Sequence, residues 1–111
     1  MEFNVKKLEN GVVHLSLSGR FNMVTAQPFR DQISALVETG SIRIVVDLGG
    51  VTSFDSSALG ALIGGLKTTR QVGGDLRLCS TTEQINLVLN LTNTQRVLIC
   101  FDNAAEAFRN G

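Results

Sequence analysis

Tyrosine and tryptophan are absent from this sequence of 111 residues, proline and histidine occur once each, and there are two cysteines. All aromatic character comes from Phe3, Phe21, Phe29, Phe54, Phe101 and Phe108, scattered through different segments. Stacking platforms for single-stranded nucleic acid need neighbouring aromatics on one open face, so that class of partner is not expected. Ten basic and ten acidic residues cancel, which leaves no single-sign field to attract nucleic acid or an anionic membrane surface. No apolar run approaches the roughly 20 residues of a membrane span. Met1–Leu8 also lacks the basic start and apolar stretch of a signal peptide. A cytoplasmic location is expected.

Cys79 and Cys100 lie in segments with strand character, and neither has a second cysteine two residues away. Both read as buried free thiols, because a cytosolic disulfide is uncommon. Two cysteines with His14 fall short of the four ligands of a structural zinc site, so no metal and no cofactor are expected.

What is present is a regular alternation of patterns over residues 1–111, read as one domain that buries roughly two thirds of its unfolded surface. Residues 2–7 and 12–18 read as strands, the second alternating Val13, Leu15 and Leu17 with His14, Ser16 and Ser18. Asn10-Gly11 between them is a strong hairpin signal. Phe29, Ile33, Leu36 and Val37 then form a helical stripe that ends at Gly40, with Pro28 tolerable only in the first turn. Ile42–Leu48 is β-branched and nearly all apolar, as in a central strand covered on both faces, and closes at Asp47 and Gly49-Gly50. A second helix starts near Ser56 with Leu59, Leu62, Ile63 and Leu66 inward. Asp75–Cys79 is a short strand. Ser80 and Glu83 read as a capping box ahead of Ile85, Val88 and Leu89. Arg96–Phe101 reads as a last strand, and Asp102 or Asn103 caps a short terminal helix with Ala104, Ala107 and Phe108. Every later strand is reached through a helix, which requires parallel pairing by right-handed crossovers. The fold class is therefore α/β: a mixed, mostly parallel sheet with an N-terminal antiparallel hairpin and about four helices.

Functional groups in such folds gather outside the carboxyl ends of the strands, which points to residues 49–57. Asp55, Ser56 and Ser57 stand there immediately before a helix, and such residues are ordinary helix caps. The helix that follows adds a second feature. With its leucines inward, its outward face carries Ser57, Gly60, Ala61, Gly64 and Thr68, small and uncharged, although glycine costs up to about 1 kcal/mol relative to alanine in a helix. Either the helix is covered on both sides within the domain, or another backbone approaches it closely; a docking partner is favoured. Catalysis is not expected. Ser56 has no Gly-x-Ser-x-Gly elbow, the single histidine lies on an early strand, and Leu66 separates Gly65 from Lys67 where a phosphate loop needs Gly-Lys.

The run Val45-Val46-Asp47-Leu48-Gly49-Gly50-Val51-Thr52-Ser53-Phe54-Asp55-Ser56-Ser57-Ala58-Leu59-Gly60 resembles the signature of the STAS family, in particular its bacterial anti-sigma factor antagonists. The resemblance extends to Leu17-Ser18-Gly19 and to Gly73-Gly74-Asp75-Leu76-Arg77-Leu78. It implies a STAS domain, not an enzyme. Unphosphorylated, it binds an anti-sigma factor that is also a serine kinase, and so frees a sigma factor; a phosphatase of the PP2C type restores the binding form. The modified residue maps to Ser56, although the helical wheel makes Ser57 the more outward of the two. Partner contacts are expected from Asn22, Phe54, Asp55, Ser57, Gly60, Ala61 and Gly64. Family members often carry Asp where this chain has Asn22, and many carry Gly in place of Ala58. A monomer or weak dimer is expected, with neither nucleic acid nor membrane as a direct partner. The alternative reading is a STAS regulatory module of another stress-signalling or transporter complex, its loop binding a ligand.

Overall fold

The computed structural model describes residues 1–109. Asn10 and Gly11 take left-handed backbone (φ 69° and 74°) within a single 3-10 turn, and the Leu8 N–H donates to the Val12 carbonyl at 2.8 Å. The chain therefore folds β1 (Glu2–Lys7) back antiparallel on β2 (Val12–Phe21), the hairpin that Asn-Gly announces. Three parallel strands complete a five-stranded sheet in the order β1-β2-β3-β4-β5, with β3 at Arg43–Phe54, β4 at Asp75–Cys79 and β5 at Cys100–Phe101.

Helices α1 (Met23–Glu38), α2 (Ser56–Gln71) and α3 (Glu83–Leu91) connect these strands. Strands added in one direction by right-handed crossovers put their helices on one face. Phe29 and Ile33 of α1, Leu62 and Leu66 of α2, and Ile85 and Leu89 of α3 share a core with Leu15, Ile44, Val46 and Leu78 of the sheet. The short α4 (Ala104–Ala107), capped by Asn103, packs with Phe108 on the other face against Val12, Val45 and Cys79. Ile44, Val45 and Val46 are thus fully buried, as a strand covered on both faces requires. Helix α1 ends as read: Gly40 (φ 89°) donates to Val37, and Ser41 donates to Leu36.

Four readings are corrected. Pro28 is the sixth residue of α1, not in its first turn; the hydrogen bond it removes belongs to the carbonyl of Val24, an exposed residue, so solvent takes its place. The cap of α3 is Thr82, whose Oγ1 accepts from the Ile85 N–H at 3.3 Å, because Ser80 is held at φ 56° and cannot take the extended conformation of an N-cap. The last strand is two residues long, since Thr94–Arg96 winds into a 3-10 turn; Cys100 is consequently exposed rather than buried. Most consequentially, β3 does not close at Gly49-Gly50 but runs to Phe54.

The glycines serve a close approach instead of a break. The β2–β3 pairing is irregular between Ser16 and Ser18, and a Cβ on Gly50 would sit 2.8 Å from the Leu17 carbonyl oxygen and 3.0 Å from Ser18 Cβ. The extra residue lies on β3, which advances from Asp47 to Gly50 while β2 advances from Ser16 to Ser18, and at this bulge the β3 backbone comes so close to β2 that Gly50 has no room for a side chain. Among the described residues no helix is long and apolar enough to cross a membrane. Gly50→Ala is expected to force β2 and β3 apart and lower stability by about 1–3 kcal/mol, read as a shifted urea midpoint; an unchanged midpoint would show that the strands accommodate a methyl there.

Candidate functional site

Parallel strands that end together deliver their helices to the same edge. Phe21 and Phe54 are the last pair of β2 and β3, and Met23 and Ser56 are the first residues of the helices that follow. One residue, Asp55, serves both. Its Oδ1 accepts from the Ala58 N–H of α2 at 2.9 Å, its Oδ2 accepts from the Met23 N–H of α1 at 3.2 Å, and its own N–H donates to the Phe21 carbonyl at 3.4 Å. Asn22 caps α1 from the other side, its Oδ1 accepting from Val24 and Thr25 at 3.0 and 3.3 Å while Thr25 Oγ1 accepts from the Asn22 N–H at 2.9 Å. The positive ends of two helices therefore meet around one carboxylate.

Ser56 is exposed at the tip of this junction and Ser57 is half-buried, the reverse of what the helical wheel suggests. Ser56 is the first residue of α2 and stands at its open end, with no preceding turn of helix to cover it. Gly60 is exposed and Gly64 half-buried. Two other expected contact residues lie inside. Phe54 is 5% exposed, its ring edge-on to Phe21 at 5.8 Å, and Ala61 is 0% exposed in the core. Neither side chain offers a surface to a partner.

The small residues of α2 have an internal explanation as well. Gly65 lets α2 settle on Phe29, Ile33 and Leu76, and the Arg30 guanidinium lies across Gly60 and Gly64, 3.8 and 3.7 Å from where their Cβ atoms would be. With Arg30 and Lys67 both exposed, the face is not uncharged as read. Met23 and Val24, 74% and 76% exposed beside Asp55, were missed by sequence reading; their signal is that two apolar residues stand outside the period of the Phe29–Val37 stripe.

His14 is not placed to activate Ser56. It lies on the α4 face of the sheet, where its Nε2 is 2.9 Å from Asp47 Oδ2. Beside that pair, burial and the Asp47 carboxylate push the Cys79 thiol up to about 11, so it is protonated at neutral pH.

A model of the STAS domain matches residues 4–107. The chain belongs to the STAS domain family. This STAS domain is 31% identical over 102 residues to a candidate anti-sigma factor antagonist of Thermotoga neapolitana, covering 91% of this chain and 90% of that one. Its fold matches the crystal structure of a candidate anti-sigma factor antagonist from Thermotoga maritima at a TM-score of 0.88 and 30% identity, over 96% of this chain and 92% of the other. It also matches SpoIIAA, an anti-sigma factor antagonist, in its unphosphorylated form, with a TM-score of 0.75 at 19% identity over 98% and 96% of the two chains. The phosphorylated form of the Bacillus cell fate determinant SpoIIAA gives 0.74 at 18% identity over 97% of each. At that identity the likeness to SpoIIAA is one of fold.

Because Asp55 closes two helix ends, Asp55→Ala is expected to cost this STAS domain about 2 kcal/mol, near 1 kcal/mol for each cap, in chemical denaturation. Asp55→Asn keeps one acceptor oxygen and should lose about half as much. Equal loss in the two variants would show that a single cap accounts for the effect.

Proposed function

We propose that this protein is an anti-sigma factor antagonist whose binding is switched at Ser56. With Ser56 unmodified it holds an anti-sigma factor that is itself a serine kinase, and so frees a sigma factor. Phosphorylation of Ser56 by that kinase releases it, and a PP2C-type phosphatase resets it. The observation that carries this reading is the exposed Ser56 hydroxyl at the shared edge of two helix N-termini, flanked by Asp55 and by the exposed apolar pair Met23 and Val24. The docking surface runs from Asn22–Val24 across Asp55–Ser57 to Gly60 and Gly64 of α2.

The physics of the switch follows from the site. A phosphate on Ser56 adds about 1.5 to 2 negative charges, and free N–H groups at a helix start accommodate them without unfolding. Removing that charge from water at an apolar interface, beside the Asp55 carboxylate, costs several kcal/mol. That SpoIIAA, in its unphosphorylated and phosphorylated forms, resembles this chain about equally well supports a change of surface rather than of fold.

Incubation with the cognate kinase and ATP should place one phosphate on Ser56, located by mass spectrometry; modification elsewhere or nowhere would sink the reading. Ser56→Asp should weaken kinase binding by about 100-fold, near 3 kcal/mol, at an unchanged unfolding temperature, whereas Ser56→Ala should bind with or without ATP. A further variant, Met23→Asp, should weaken binding at least about tenfold while leaving the fold intact, since it places a charge where an apolar contact is expected.

A further inference from the structure

We propose that His14, Asp47 and Cys79 form a binding site for a zinc-like transition-metal ion on the α4 face of the sheet, apart from the Ser56 site. Their ligand atoms, one nitrogen, one carboxylate oxygen and one sulfur, lie within 4.8 Å of one another. The topology brings them together: Asp47 pairs with Ser16 on β2 and with Cys79 on β4, and His14 is two residues along β2 on the same face. Three adjacent strands thus each present one donor. Sequence spacing hides such a site because the donors stand at positions 14, 47 and 79, and Cys100, the other cysteine, is not among them.

The Asp47 side chain is held as a metal-ligating carboxylate usually is. The Gly49 N–H donates to Asp47 Oδ1 at 2.9 Å, which leaves Oδ2 turned toward His14 Nε2, and Ser16 Oγ is 3.3 Å from that same nitrogen. The Gly49 contact fixes the carboxylate as outer partners of metal ligands do, whereas the Ser16 hydroxyl shares the ligating nitrogen and gives it up to the ion. Cys79 is fully buried while the His14 and Asp47 side chains are 21% and 24% exposed, so solvent reaches the cluster past His14 and Asp47. Asp47 also borders a depression of about 410 Å³ lined by Phe3, Ser16, Gly49 and Ser80 among others.

The donor set selects the ion class. A thiolate beside an imidazole disfavours magnesium and calcium, which prefer oxygen alone, and suits zinc. Zinc bonds of about 2.0–2.3 Å at tetrahedral angles place donors about 3.3–3.8 Å apart, within reach of small side-chain rotations from this arrangement. As the ion binds His14 Nε2 and Asp47 Oδ2, the imidazole keeps its one hydrogen on Nδ1, exchanged through solvent, and the Cys79 thiol loses its proton to solvent as the sulfur bond forms. Three protein ligands leave a fourth position for water or for a donor from a partner.

Cobalt(II) titrated into the full-length, metal-free protein tests this directly. One equivalent should produce a thiolate-to-cobalt charge-transfer band in the near ultraviolet together with the intense visible absorption of four-coordinate cobalt, and zinc should bleach both. Cys79→Ser should abolish the charge-transfer band and Cys100→Ser should leave it. His14→Gln should weaken cobalt binding at least tenfold. Absence of the band in the unaltered protein, its survival in Cys79→Ser, or its loss in Cys100→Ser would each overturn the site. The unaltered protein and Cys100→Ser decide the matter even if Cys79→Ser fails to fold.

Discussion

Because β2 and β3 run parallel out to the Phe21–Phe54 pair, the helices that follow them have to begin side by side at one edge of the sheet. Two helix starts carry several N–H groups without partners and two partial positive charges, and leaving them adjacent and uncapped is unfavourable. The Asp55 carboxylate resolves both problems with its two oxygens, one for each helix. The residue after it is then the first of α2 and is presented to solvent. The exposed serine is therefore a product of the strand pairing, and that pairing rests in turn on Gly50, where the bulged stretch of β3 passes close against Leu17 and Ser18 of β2.

Much of this was legible in the sequence, and what was not has physical reasons. The hairpin, the order of elements and the Gly40 stop are local signals: a turn pair, a change of period, a left-handed residue. The length of β3 was misread because glycine punctuates turns far more often than it permits strands to approach, and only the partner strand reveals which role applies. Ser80 lost the cap of α3 to Thr82 for a related reason, since the φ of Ser80 is set by the exit from β4 and not by the residue's preference. The candidate site was legible at Asp55 and Ser56. Its neighbours Met23, Val24 and Arg30 come from another segment and needed the packing of α1 on α2 to become visible.

That packing also revises what small residues on α2 mean. A stripe of glycine and alanine is compatible with a partner outside or a helix inside, and here a helix inside accounts for Ala61 and Gly65. Gly60 and Gly64 remain at the surface under a single flexible arginine. The docking surface proposed above is consequently narrower than the stripe and shifted toward the helix starts, where Met23 and Val24 supply the apolar area that glycine lacks.

The identity of residue 22 bears on the charge balance of that surface. Two helix ends contribute roughly half a positive charge each, which together about match the single negative charge of Asp55. With the amide of Asn22 capping α1, the unmodified junction is close to neutral. A carboxylate at position 22 would cap equally well, yet would leave the junction negative before any phosphate arrives. On the function proposed above, Asn22 leaves a phosphate on Ser56 as the first uncompensated negative charge at the helix starts. A partner of the proposed kind would need apolar and hydrogen-bonding complementarity at the helix starts rather than a cationic patch, and so would gain little affinity for a phosphorylated form.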